Sequence, residues 1–291
     1  MYKRILYRTP ALADLRKEYT FADMHIHTKY SHDSLTSIKH LLKKASELKI
    51  ALAITDHSRA EGAMEACKQK KVMIIPGIEV ASSENKEILL YFYSSRDLWD
   101  FYCKNVERQL IQKKHHKYNV AKTVSAFKIG IGMEEVVDIA DDYNCIKSIP
   151  HPFTLPPRRS HRFFAKHKRK STLKKIEAIE VLNASMPPRM NKLATNWAVK
   201  EDKAYTGGSD AHIISEVGHA LTACKADNVE SFLDYIKKKK NFVIGREIKF
   251  SVAANNFRKS MKVKRHKSLN FNEKAFLREN LQEDNDWSDW K

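Results

Sequence analysis

Cysteine is scarce and scattered. The four thiols, Cys67, Cys103, Cys145 and Cys224, form no C-x-x-C pair. That argues against a zinc ribbon or a dithiol redox motif and fits free buried thiols in a reducing compartment. Long apolar runs are also missing: no stretch approaches the ~18 uncharged apolar residues of a membrane helix. The opening MYKRILYRTPALADLRKEYT lacks the apolar core and small-residue cleavage site of a secretory leader. A cytoplasmic protein is expected. Negative charge is in deficit, with 35 Asp and Glu against 53 Lys and Arg, a formal net charge of +18. Such an imbalance points to an anionic partner, whether nucleic acid, phosphorylated substrates or an acidic membrane surface.

What is present suits a sizeable fold. The 291 residues are 42% hydrophobic, enough for one large domain or two small ones. Short apolar runs alternate with helical patterns. Strands are expected at FADMHI (21–26), ALAITDH (51–57), VMIIPGIEVAS (72–82), EILLYFY (87–93), CIKSIPH (145–151), AIEVLN (178–183), AYTGGSD (204–210), ALTAC (220–224) and FVIG (242–245). Helices are expected over 36–50, where Thr36 can cap, over 60–71, and near 96–114, 133–143, 190–200 and 228–240. Strands separated by helices predict parallel βα units, an α/β class, and a closed or distorted barrel. EILLYFY follows its predecessor too closely for a helical crossover, so an antiparallel pair is expected there. The expected organisation is an N-terminal extension (1–19), one catalytic domain (20–250) and a charged tail (251–291).

The chemistry-bearing residues recur at strand ends. His25 and His27 end the first strand, Asp56 and His57 the second, and Glu79 follows the Pro76-Gly77 turn. His151 precedes Pro152, and Asp210 and His212 follow Gly207-Gly208-Ser209. In a parallel barrel all strand C-termini open on one face, which hosts the site. A period of two puts both imidazoles of H-x-H on one strand face, and the same spacing joins Asp210 to His212. Taken singly, each is weak: H-x-H can be a core pair, Asp56 a helix cap, Glu79 a loop acid. Jointly they read as a mixed His/carboxylate site for two or three divalent cations, with Mn2+, Zn2+, Fe2+ or Mg2+ as the candidates. Such a site lowers the pKa of bound water toward ~7 and clamps the oxygens of a phosphoryl transfer.

The series D-M-H-I-H-T-x-x-S-x-D-S, I-T-D-H, P-G-I-E-V, P-H-P-F, I-E-V-L-N and G-G-S-D-A-H resembles the PHP (polymerase and histidinol phosphatase) superfamily over about residues 20–245. It looks most like the stand-alone metal-dependent phosphoesterases. The resemblance implies a distorted (β/α)7 barrel, related to TIM barrels, with up to three metals at its mouth. By motif it gives His25, His27 and Asp210 to one metal, and makes Glu79 the bridge to a second that His151 also holds. Asp33, His57 and His212 fall to a third, with His32 competing for the place of Asp33. Glu79 and His212 are the expected catalytic residues, and Asp56 a partner that orients a histidine rather than a ligand. One departure stands out. Many members of the family it resembles carry a further histidine on the second metal, but no His occurs between Glu79 and His115, and Glu87 stands near that place. It could substitute as a carboxylate, act through water or lie on the surface.

Between His151 and Ile176 run nine cations and no acid, from Arg158 and Arg159 to Lys174 and Lys175. Arg158 or Arg159 could hold a substrate phosphate in a two-pronged contact, and Phe163 and Phe164 could stack on a base. The alternative is a solvated insertion. Lys237–Lys240 and KVKRHK (262–267) read as solvated, adding at most non-specific affinity for nucleic acid. The expected function is hydrolysis of phosphomonoesters or diesters of a small phosphorylated molecule, a nucleotide or a short oligonucleotide, with no membrane partner. The alternatives are a catalytically reduced nucleic-acid-binding module, which the filled ligand positions disfavour, and C–N hydrolysis as in amidohydrolase barrels. The latter calls for a bridging lysine that has no convincing position here.

Overall fold

The computed structural model describes residues 4–6, 15–110 and 127–248. The last part of the helix expected to 114, and the tail with its KVKRHK run, lie outside these residues. Ten strands form one curled sheet: β1 (Ile5–Leu6), β2 (Thr20–Ile26), β3 (Ala51–Ile54), β4 (Ile74–Ala81), β5 (Glu87–Phe92), β6 (Cys145–Ile149), β7 (Ala178–Asn183), β8 (Ala204–Gly208), β9 (Ala220–Cys224) and β10 (Phe242–Gly245). Their order is β1-β10-β9-β2-β3-β4-β5-β6-β7-β8.

Strands β2 to β8 make the barrel. Neighbours pair in parallel except around β5, which runs antiparallel to both β4 and β6. The tight connection before EILLYFY predicts that reversal. It also brings the start of β5, Glu87, to the mouth where the other strands end. The seam between β8 and β2 closes just beyond β8: His27 N donates to Ala211 O at 2.9 Å, and Ile26 bridges Ala211 in parallel. Gly208 makes this approach feasible, since a Cβ there would lie 2.5 Å from His25 Cβ and 2.6 Å from its backbone nitrogen.

The interior divides by height. Small and apolar residues, among them Ala22, Met24, Ala51, Ala53, Ile75, Leu89 and Ile146, fill the lower barrel and pack on Phe232, Leu233 and Ile236 of the helix Val229–Lys237. Tyr91 spans the barrel, its hydroxyl donating to Met24 O at 2.8 Å. The larger apolar cluster lies between the sheet and the outer helices. On α1 (Ile38–Leu48) the buried residues Ile38, Leu41 and Ala45 follow helical spacing. Its cap is Ser37 rather than Thr36, because Ser37 has the extended backbone and its side chain accepts from His40 N. The basic insertion is not unstructured: it forms the helices His161–Phe164 and Lys170–Lys175. No helix among the described residues is long and apolar enough to cross a membrane.

Candidate metal centre

Two strands change register where they meet the site. In β2 the shift falls between Asp23 and Ile26. Ala22 and Met24 belong to the inner cluster, but beyond the shift Ile26 packs outward while His25 and His27 face the mouth. In β7 the shift falls between Glu180 and Leu182, so Glu180 and Asn183 both reach the site. Such irregularities re-aim side chains near functional sites.

The eight residues expected as ligands converge. Glu79, fully buried on β4, is the hub. Its Oε2 lies 2.7 Å from His57 Nδ1 and 3.6 Å from both His25 Nε2 and His27 Nε2, and its Oε1 lies 3.3 Å from His151 Nε2. Asp210 Oδ1 stands 3.2 Å from His27 Nε2 and 3.5 Å from His25 Nε2. Asp33 Oδ2 sits 3.5 Å from His57 Nε2, 3.4 Å from His212 Nε2 and 3.5 Å from His32 Nε2. Asp33 and His32 thus share one corner, and the His32 ring also stacks on Phe127 with centroids 4.2 Å apart. The Nε2 atoms of His25 and His27 face each other at 3.1 Å, a separation that needs a proton or a cation between them.

Electrostatics favour the cation. Burial works against charge at His25, yet Asp210, Glu180 and Glu79 together hold it well above the ordinary imidazole range. His57 is held up likewise by Glu79 and Asp33. Burial pushes His27 down to about 3, with His57 and His212 adding to the effect. Although burial opposes their ionisation too, Glu79, Asp33 and Asp210 stay well below the usual carboxylate range beside these imidazoles. Both Glu79 oxygens and Asp210 Oδ1 are buried without a well-directed hydrogen bond. Buried anionic oxygens left in that state are costly, and a divalent cation would satisfy them. The mixed imidazole and carboxylate donors fit Zn, Mn or Fe. Two cluster residues, His151 (φ 25°) and Asp210 (φ 53°), adopt left-handed backbone, a cost of ~1–3 kcal/mol each that the surroundings must hold.

A supporting layer lies behind the donors, built from residues that lie within the motifs without being expected donors. Glu180 Oε1 lies 2.9 Å from His25 Nδ1, and its Oε2 accepts from His151 N at 2.8 Å and from Asn183 Nδ2 at 2.9 Å. Asn183 Nδ2 also reaches Asp210 Oδ2 at 3.3 Å. Asp23 accepts from Ser209 N, Ser209 Oγ and Gly218 N, pinning the G-G-S-D loop to β2. The sequence does carry a signal for both acids: a carboxylate inside each buried apolar strand, FADMHI and AIEVLN, needs a partner. Asp56 is committed elsewhere, as a partner rather than a donor of the cluster. Its carboxylate accepts from Thr28 N and Thr28 Oγ1 at 2.6 Å each, and Ser31 links it to His27, with Ser31 Oγ 3.1 Å from His27 Nδ1. Burial raises Asp56 to about 6 against these bonds. A Cβ at Gly62 would lie 2.1 Å from Asp56 Oδ2, so glycine there keeps this cradle open.

Glu87 is buried, which removes the surface reading. Its Oε2 lies 3.8 Å from His151 Nε2 and accepts from Arg158 Nε at 2.7 Å. Arg158, with a 43% exposed side chain, brings its other end within 3.3 Å of His151 Nε2. Arg159 turns aside and donates to Thr154 O. Phe163 and Phe164 are core residues at 8% and 0% exposure, so base stacking by them is excluded; their rings anchor the helices of the insertion. Of the remaining cations on the insertion, Arg169 pairs with Glu134, and Lys175 with Asp138 and Asp141. Arg162, Lys166, Lys168, Lys170 and Lys174 are exposed.

Comparisons with known proteins agree with this fold. An uncharacterised protein of Methanocaldococcus jannaschii is 26% identical over 211 residues, 72% of each chain. Among solved structures, a candidate metal-dependent phosphoesterase of Bifidobacterium adolescentis superposes with a TM-score of 0.51 at 14% identity, covering 79% of this chain and 98% of its own. A lesion-specific endonuclease of Pyrococcus furiosus reaches 0.57 at 19% identity over 77% of this chain, which spans only 57% of that enzyme. The PHP domain family matches residues 23–154 and the PHP-associated family residues 188–241; with seven barrel strands closing on one His/carboxylate mouth, the chain belongs to the PHP family.

Proposed function

We propose that this chain is a hydrolase that cuts phosphate esters with two or three divalent cations held in the cluster. The observation that carries the reading is Glu79, a fully buried carboxylate with four imidazoles within 3.6 Å and neither oxygen properly satisfied. His25, His27 and Asp210 would hold one cation. Glu79 would link it to a second beside His151, and Asp33, His57 and His212 would hold a third. Bound cations supply a water of lowered pKa and neutralise charge on the phosphoryl oxygens.

The chain's own residues do the rest. Glu180 and Ser31 fix the tautomers of His25 and His27, since each occupies Nδ1 and leaves Nε2 facing the cluster. The His212 Nδ1–H is committed to Asp210 O, which leaves Nε2 as a lone pair toward Asp33. Glu79 at the buried floor and His212, 20% exposed at the rim, bracket the space for the attacking oxygen. Arg158, anchored through Nε on Glu87 and with Nη2 at His151 Nε2, has Nη1 left for a non-bridging oxygen. The net charge of +18 and the barrel shared with a lesion-specific endonuclease support nucleotides or short oligonucleotides as substrates.

The deciding experiment is elemental analysis of purified protein alongside a panel of p-nitrophenyl phosphate, bis-p-nitrophenyl phosphate, nucleotides and short RNA and DNA, each with Mn2+ or Zn2+. Bound metal with turnover that Asp210→Asn abolishes is expected. Bound metal with no turnover on any ester overturns the reading.

A further inference from the structure

One corner of the cluster already holds a cationic side chain. His151 Nε2 faces Glu79 Oε1 at 3.3 Å, Arg158 Nη2 at 3.3 Å and Glu87 Oε2 at 3.8 Å. An imidazole nitrogen offers either a lone pair or a proton, and a guanidinium only donates. Arg158 therefore takes up the lone pair that a cation beside His151 would need. Glu87 holds it there, accepting from Arg158 Nε at 2.7 Å. Burial opposes charge at Arg158, but Glu87, Glu79 and Asp210 together keep the guanidinium firmly protonated. Asp210, by contrast, has only imidazoles within ion-pair distance among the described residues: His25, His27 and His212. His151 also lacks a support that the other imidazoles have. Nδ1 of His25 meets Glu180, that of His27 meets Ser31, and that of His212 meets the Asp210 carbonyl. His151 Nδ1 is buried with no hydrogen-bond partner among the described residues, so nothing fixes the tautomer that presents a lone pair at Nε2.

We propose that Arg158 and a divalent cation compete for this corner. Arg158 occupies it when cations are scarce, and the cation beside His151 binds last, as Arg158 withdraws and Glu87 becomes its donor. The inference rests on the cation-cluster part of the proposed function and not on which bond is cut. The placing of Glu87 supports it. The residue is buried at the start of β5, and ligand atoms of His57, Glu79 and Glu87 all lie within 4.8 Å of one another. A buried carboxylate that loses its arginine is left with an uncompensated charge, and a hard divalent cation is the partner such an oxygen suits. The exchange is thus one positive charge for another at the same carboxylate. It makes this position the first to empty as cation supply falls, while the position of His25, His27 and Asp210 stays filled.

Cation binding tests this directly. Equilibrium titration of the full chain with Mn2+, read from the EPR signal of the free ion, gives the number and affinity of each class of site. The weakest class is expected to tighten about tenfold in Arg158→Met, the order of one charge-assisted hydrogen bond that the cation no longer displaces. The tighter classes should move by less than about twofold. Glu87→Gln/Arg158→Met is expected to lose the gain, because the freed carboxylate is gone. Arg159→Met, which alters the neighbouring arginine held on the Thr154 carbonyl, is the control and changes no class. Thermal melting of the metal-free proteins checks folding, and Met keeps the apolar stem of a side chain that is 43% exposed. Unchanged or weaker binding of the last class in Arg158→Met overturns the proposal, as does a gain that survives in the double variant. A wild type that binds no Mn2+ overturns the proposal and the proposed function together. Tightening that depends on Arg158 without turnover of any ester keeps the proposal and removes the hydrolase reading. Turnover with Mn2+ binding indifferent to Arg158 does the reverse.

Discussion

His25 Nδ1 lies 2.9 Å from Glu180 Oε1, and both side chains are sealed from solvent. The carboxylate is not among the expected cation donors, yet it dictates which nitrogen of His25 is left for a cation. Partners of this kind are worth ~10–100-fold in metal affinity. Glu180→Gln is therefore expected to weaken Mn2+ or Zn2+ binding by about that factor while the chain still folds, since Gln keeps the shape and an acceptor. Chelator competition measures it, and an affinity unchanged within error would show that Glu180 only props the backbone of His151.

Metal removal should be felt by the whole barrel. The donors come from β2 and β4 and from the segments after β2, β3, β6 and β8, so a bound cation would tie distant parts of the chain together. At a free-metal concentration of ~100 Kd the linkage is worth about 2.7 kcal/mol, or several degrees of Tm for a chain of this size. Chelation should lower Tm by that amount in the wild type and by less in Asp210→Asn, which lacks a donor to one of the proposed cations. The same chelation shift in both proteins would place the stabilising metal elsewhere.

The two neighbouring arginines should behave differently. Arg158 is held on Glu87 beside His151, and Arg159 on a loop carbonyl. Arg158→Ala is expected to raise KM for a phosphoester about ten- to hundredfold, in line with loss of a charge-assisted contact of ~1.5–3 kcal/mol. Arg159→Ala should change KM by less than about twofold. Steady-state kinetics on one substrate suffices, and equal KM values for both variants would detach Arg158 from the substrate.

Much of this site is legible in the amino-acid sequence. H-x-H, the Pro-Gly-turn Glu79, H-P and G-G-S-D-x-H announce themselves because metal donors must sit at strand ends of one barrel face. The antiparallel β5 is legible from a connection too short for a helix. Other features are not. The register shifts in β2 and β7 leave no mark in the hydrophobic pattern, because both faces of these strands are buried and read as continuous apolar runs. Glu180 and Asp23 stand inside those runs, where a lone carboxylate shows that a partner is needed but not which one. The helices at His161–Phe164 and Lys170–Lys175 are masked by charge density, since their apolar anchors Phe163, Phe164 and Leu173 are few among many lysines and arginines. Arg158 and Arg159 are indistinguishable in sequence; only the fold of the loop separates them.

Gly208 offers the sharpest test of the barrel seam. A Cβ there would meet His25 Cβ at 2.5 Å and its backbone nitrogen at 2.6 Å, against which nothing can yield without opening the hydrogen bonds between β2 and Ala211. At Gly130 the nearest atom to an added Cβ is Gln109 Oε1, 2.6 Å away but at the end of a flexible side chain. Gly208→Ala is thus expected to cost about 2–3 kcal/mol and to reduce metal content, whereas Gly130→Ala should stay within about 0.5 kcal/mol. Denaturant unfolding of both variants with metal analysis decides the matter. If Gly208→Ala unfolds like the wild type and keeps its metal, the seam has room to spare and His25 is not positioned by backbone contact with β8.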